Sequence, residues 1–180
     1  MSRNNIAIGH DELGRFIREV LVANGARAKD AAVVAEGLVW ANLRGGDGHG
    51  VSRLPRYLNI IAHGEIDTKA EPTLSHDRTA TFVMDCHHGF GPVAVMQAAA
   101  LAVERAKKAG VCFGLVRETT HTGAIGRYAQ WIATQGCAAI IMGAGPTLAT
   151  EPTVTGTPFR SSMTIAAMSS TSLAWLTPRM

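Results

Sequence analysis

Apolar positions in the first third of the chain recur at helical spacing. Leu13, Phe16, Ile17, Val20 and Leu21 mark one face of a helix, and Asn24-Gly25 is its stop. A second predicted helix covers residues 31–41, with Val34, Leu38 and Ala41 along one side. A third covers about residues 51–63, with Leu54, Tyr57, Leu58 and Ile61 on one face and Gly64 closing it. The pattern then changes. Residues 80–84 read as a short strand and 93–109 as an alanine-rich helix ended by Gly110. Residues 111–116 are apolar throughout, as in a strand buried on both faces. A helix over about 124–135 follows, with Ile125, Tyr128, Ala129 and Ile132 inward and Gly136 as its stop. Residues 137–142 read as another buried strand. This alternation predicts an α/β fold, in which a helical N-terminal segment precedes an α/β layer.

From about Thr147 the pattern breaks. The remaining residues are rich in Ser, Thr, Pro and Met, and they sustain neither period over a useful window. Pro152 and Pro158 bracket a polar stretch, and residues 164–168 offer at most one helical turn before a run of Ser and Thr. The expected organisation is a helical segment over 1–70, a partial nucleotide-binding α/β unit over 71–146, and a weakly structured tail over 147–180. That tail is expected to be largely exposed, with Leu173, Trp175 and Leu176 as its only candidates for docking on apolar surface.

Composition narrows the classes of function. The chain has 180 residues, 47% of them hydrophobic and 17% charged, so it can bury a sizeable core and is not disordered by composition. A net charge of +3 with scattered Lys and Arg and few aromatics does not make a nucleic-acid footprint. Cys86, Cys112 and Cys137 are odd in number and lack CxxC spacing, which argues against a disulfide framework or structural zinc and favours a reducing cytoplasm. No uninterrupted apolar stretch reads as a signal peptide or a membrane span.

Three segments carry candidate chemistry. Residues 44–50, RGGDGHG, place four glycines in seven residues, which suits close backbone approach to a ligand rather than packing. Arg44 and Arg53 flank this loop and are natural forks for a carboxylate, and His49 beside them can move a proton. The bland alternative is a solvated interhelical loop. Residues 118–126, ETTHTGAIG, lie where a buried strand ends and a helix begins, the position at which ligands gather in open α/β sheets. There His121 is a proton-exchange candidate and Thr122-Gly123 permits backbone approach, against the alternative of a solvated or capping histidine. Residues 89–94, GFGPVA, fit a loose dinucleotide fingerprint, but Cys86-His87-His88 stands where that fingerprint needs a tight turn. Asp47, His49, His87, His88 and His121 are of metal-binding type. None of them has the i, i+4 spacing of a metal helix, so no metal site is assigned and a metallohydrolase stays only an alternative.

Residues 41–54, ANLRGGDGHGVSRL, resemble the (D/N)LRGxxSHGVxRL segment of the malate/L-lactate dehydrogenase-like family. Residues 90–94 and 120–126 resemble two further landmarks of that family in order and spacing, over a match from about Asp11 to Pro146. The family includes enzymes acting on malate, lactate, sulfolactate and ureidoglycolate, and relatives that reduce cyclic imino acids such as piperideine-2-carboxylate. The resemblance implies a non-Rossmann nucleotide-binding domain, NAD or NADP as cofactor, a small 2-hydroxyacid as substrate, and a homodimer. It also implies that His121 or His49 handles the proton, that Arg53 holds the substrate carboxylate, and that His121, Thr122, Gly123, Ala124 and Ile125 touch the cofactor. Two departures stand out. Gly48 occupies the place of the family's usual serine, so a serine–histidine relay cannot operate as drawn. The chain also has about half the family's length and lacks its GTNP-like segment. It reads as truncated or frame-shifted after about residue 146, and a catalytically inactive fragment that only dimerises is the alternative.

Overall fold

The computed structural model describes residues 7–144 and 161–169. Helix α1 (His10–Ala23) opens with Asp11 and Glu12 in its first turn, where carboxylates complement the helix dipole. It buries Ile17 and Leu21 against α2 (Ala28–Asn42), which contributes Ala31, Val34, Ala35 and Leu38. Phe16, expected on the inner face of α1, is 54% exposed. Helix α2 starts three residues earlier than its apolar pattern indicated. Arg27 Nε donates to the buried Asp30 carboxylate at 2.5 Å, tying down the first turn.

The third helix is shorter than expected. Two single 3₁₀ turns, Asp47–His49 and Val51–Arg53, precede α3 (Leu54–Ala62). Asn42 is the reason. Its Oδ1 accepts the Val51 N–H at 2.7 Å and its Nδ2 donates to Asp47 at 2.7 Å, so the loop is built around this side chain. A Cβ on Gly50 would overlap the Asn42 amide, so this glycine is demanded by close approach.

The remaining elements are β1 (Thr73–Ser75), β2 (Thr81–Asp85), α4 (Gly91–Ala109), β3 (Val111–Thr119), α5 (Gly126–Thr134), β4 (Cys137–Ala144) and β5 (Ser161–Ser169). The sheet order is β1-β2-β3-β5-β4. Strands β2 and β3 are parallel, and the other neighbouring pairs are antiparallel. The three-residue edge strand β1 was not anticipated; it is too short to show a period.

Residues 161–169, expected to be part of a weakly structured tail, instead form the regular strand β5. It lies between β3 and β4 and pairs with both along nearly its whole length. Met163, Ile165 and Ala167 alternate onto the core face and are fully or almost fully buried. The strand was overlooked because its outward positions, Thr164, Ala166 and Met168, are small or apolar as well, which blurs the twofold period. The prolines at 152 and 158 and the apolar residues at 173, 175 and 176 lie outside the described residues.

One core sits between the sheet and α4 and α5; it gathers Phe82, Met84, Val95, Ala98, Val116, Tyr128, Ile132 and the inner face of β5. The other lies among α1–α3 and also takes in Phe90 and Val93 from the start of α4. Those two side chains join the helical segment to the α/β layer. Both α4 and α5 pack on the same face, and among the described residues no element covers the other face of the sheet. Val111 and Phe113 are each 46% exposed, contrary to the expected burial of β3 on both sides, and Ile140 and Met142 on β4 are 57% and 54% exposed. In cross-strand register they form rows, Val111–Met168–Ala138 and Phe113–Ala166–Ile140.

Candidate active site

The site forms where β3 ends. The ladder slips between Val116 and Thr119, and Glu118 adopts φ +51°, so a bulge turns the chain just before His121. Buried Thr120 then anchors the turn: its Oγ1 accepts the Gly91 N–H at 3.1 Å and donates to the Gly89 carbonyl at 3.0 Å. From the opposite side come the glycine loop after α2 and the first turn of α3.

This geometry brings His49, Arg53 and His121 together. The His49 and His121 rings stack with centroids 5.5 Å apart and planes at 15°. Arg53, Arg56, Tyr57, Ile60 and His121 line a pocket of about 170 Å³. Arg53 is held in place by a 2.5 Å bond from its Nε to the Gly48 carbonyl, which leaves its terminal nitrogens for other partners. Burial pushes the His121 imidazole down to about 4, and the neighbouring Arg53, His49 and Arg56 act in the same direction. His121 is therefore neutral near pH 7.

Arg44 is placed elsewhere. Its guanidinium lies over the Trp40 ring at 4.1 Å and donates to Gln130 Oε1 at 3.0 Å, so it braces α2 against α5 and does not line the pocket. Two residues of the pocket were missed in the sequence. Arg56 drew no attention in the sequence, and Tyr57 only marked the apolar face of the third predicted helix. Tyr57 is indeed 98% buried by packing, yet its hydroxyl reaches His121 Nδ1 at 3.1 Å and the His121 carbonyl at 3.3 Å. The signal available was the run Arg53-Leu-Pro-Arg56-Tyr57, where helical spacing sets Arg53, Arg56 and Tyr57 on one side.

The turn from His121 to Ile125 is open in the manner a nucleotide contact needs. Gly123 sits at φ +76°, Thr122 accepts the Tyr128 hydroxyl through its carbonyl, and Ile125 is 42% exposed. Among the described residues, no protein acceptor takes the N–H of Thr122, Gly123, Ala124 or Ile125. The Gly89–Ala94 segment is the reverse case. The Gly91 N–H is already bonded to Thr120, and a Cβ there would overlap the backbone carbonyls of Thr120 and His121. The glycine at 91 lets two protein segments touch, and its N–H is already taken by protein.

Among the described residues no three His, Cys, Asp or Glu side chains gather as a metal site would require. His87 pairs with Asp85 at 3.3 Å and His88 with Glu118 at 3.5 Å, both away from the His121 pocket. The cysteines are buried free thiols; burial pushes Cys86 up to about 12 and also raises Cys112. Among the described residues no helix is long and apolar enough to cross a membrane.

A mixed-sheet α/β chain with a histidine pair and two arginines at the end of a central strand belongs to the class of folds that place ligands at strand termini. Within that class the match is specific: residues 8–173 fit the family described as malate/L-lactate dehydrogenase, and the chain belongs to that family. The malate dehydrogenase of Pyrococcus abyssi is 36% identical over 142 residues, covering 79% of this chain and 39% of that protein. The L-sulfolactate dehydrogenase of Methanothermobacter thermautotrophicus is 29% identical over 162 residues, covering 84% of this chain and 48% of that protein. The solved structure of malate dehydrogenase from Pyrococcus horikoshii OT3 superposes with a TM-score of 0.79 at 32% identity, covering 83% of this chain and 43% of that one. The chain thus spans less than half the length of these relatives. The family match extends through β5.

Proposed function

We propose that this chain forms one wall of the active site of an NAD(P)-linked oxidoreductase that acts at C2 of a 2-hydroxy or 2-keto acid. The observation that carries this reading is one pocket lined by neutral His121, Arg53 and Arg56, with His49 stacked on His121. Arg53 and Arg56 supply the charge to hold a substrate carboxylate. His121 is the group suited to accept the hydroxyl proton, because a neutral imidazole has a free lone pair at physiological pH. NAD or NADP, when bound, supplies the acceptor for the hydride that leaves C2. The residues fitted to hold it are His121, Thr122, Gly123, Ala124 and Ile125, whose backbone N–H groups have no protein acceptor among the described residues.

The names of the relatives support a substrate of the malate or sulfolactate type, a short acid with a hydroxyl beside the carboxylate. The test is a steady-state assay of 2-hydroxyacids with NAD and NADP, alongside an NADH fluorescence titration. Turnover of none of these acids sinks the substrate class, and absence of saturable NADH binding sinks the cofactor assignment. A second reading, a catalytically inactive chain that only dimerises, draws on Gly48 in the usual serine position and on the sheet face that no described element covers. It predicts a dimer in sedimentation with no NADH binding.

A further inference from the structure

We infer that Tyr57 is a positioning residue that holds His121 in the tautomer with its proton on Nδ1, leaving Nε2 as the acceptor for the substrate's hydroxyl proton. The second half of this assignment rests on the oxidoreductase reading; the first half stands on geometry alone.

The argument counts donors and acceptors. The Tyr57 hydroxyl has one hydrogen to give and two lone pairs to receive with. It lies 3.3 Å from the His121 carbonyl oxygen and 3.1 Å from His121 Nδ1. The carbonyl can only accept. If the hydroxyl donates to the carbonyl and Nδ1–H donates to the hydroxyl, both contacts are hydrogen bonds. If the hydroxyl instead donates to an unprotonated Nδ1, the phenol and carbonyl oxygens face each other at 3.3 Å as two acceptors with no hydrogen between them. One tautomer makes two bonds in a buried setting, and the other makes one bond and one repulsion.

The surroundings hold this arrangement in place. Tyr57 is 2% exposed and sits in the core shared by α1–α3, so its ring cannot turn away to solvent. Burial raises its phenol well above the usual tyrosine range, so the hydroxyl keeps its proton. The same contact grips both the imidazole and the backbone of one residue, which fixes the ring relative to its own main chain. Among the described residues no protein group hydrogen-bonds to Nε2, and His121 lines the pocket with Arg53 and Arg56.

The experiment is two-bond ¹H–¹⁵N NMR of the histidine rings in the 180-residue chain near pH 7, with His121 assigned by its loss in His121→Gln. The expected result is an Nδ1–H pattern for His121 in the unaltered chain, turning largely to Nε2–H in Tyr57→Phe, which keeps the buried ring and removes only the hydroxyl. An Nε2–H pattern in the unaltered chain overturns the tautomer assignment without any variant being needed. An unchanged Nδ1–H pattern in a folded Tyr57→Phe protein overturns the role of Tyr57. In the turnover assay, Tyr57→Phe should lower kcat on the order of tenfold with KM little changed, a smaller loss than the roughly 10²–10⁴-fold worth of a general base. An unchanged kcat overturns the catalytic half. Failure of the chain to oxidise any 2-hydroxyacid overturns that half too, while the ring pattern still decides the tautomer.

Discussion

His49 and His121, far apart in the sequence, stack with ring centroids 5.5 Å apart, and that pair brings the glycine loop of the helical segment against the strand-end turn of the sheet. Protonation of His121 places a charge against the His49 ring and beside Arg53 and Arg56.

Stability should therefore depend on His121. Its folded-state value near 4 is below the ordinary 6.5, so the unfolded chain binds the proton more readily than the folded one. The contribution is intact above about pH 6.5 and is lost as pH falls from there toward 4. Urea unfolding across that range should show a loss on the order of 2 kcal/mol that His121→Gln removes. An unchanged slope in the variant would show that the drop arises elsewhere.

Gly91→Val should be the more damaging of two glycine substitutions. The added side chain would overlap the Thr120 and His121 carbonyls, which are backbone and cannot step aside. A loss of about 3 kcal/mol or more is expected, or failure to fold. Gly123→Val meets only ordinary neighbours and carries a positive-φ strain of about 1–2 kcal/mol. It should stay folded and bind NADH more weakly. A stable Gly91→Val with lost NADH binding would reopen the fingerprint reading of residues 89–94.

Asn42 and Gly50 should be energetically coupled. Asn42→Ala removes the acceptor of the Val51 N–H and should cost about 1–3 kcal/mol, while Gly50→Ala collides with the Asn42 amide. The double variant should be less damaged than the sum, by about 1 kcal/mol, because shortening Asn42 makes room for the new methyl. Strict additivity in chemical denaturation would argue against this packing.

Gly48→Ser should be tolerated. A Cβ there meets nothing within 4 Å, and the backbone is not in the left-handed region, so stability should change by less than about 0.5 kcal/mol. If a serine beside His49 serves the relay implied by the family pattern, this variant should raise turnover. A marked thermal destabilisation would contradict the open space around residue 48.

Ile165→Ala tests the place of β5. The side chain is fully buried among α4 and β3 partners, so a loss of about 2–5 kcal/mol is expected in equilibrium unfolding. A change near zero would return this segment to the status of a loose tail.

The sequence by itself determined the local elements and the family landmarks. Helices α1, α2, α4 and α5 were legible from their apolar periods and stops, and strands β2, β3 and β4 as short, largely apolar runs between them. His49, Arg53 and His121 were legible because they stand in segments that make no sense as packing. Only the tertiary structure decided that β5 inserts between β3 and β4, that Val111, Phe113 and Ile140 stand exposed on the sheet, that Arg44 turns to Trp40 and Gln130, and that Tyr57 reaches His121. The reason is physical. A period reports which side of an element is apolar, whereas strand order and a hydroxyl-to-imidazole contact depend on which distant surfaces meet, and that is settled by packing the two cores together through Phe90 and Val93.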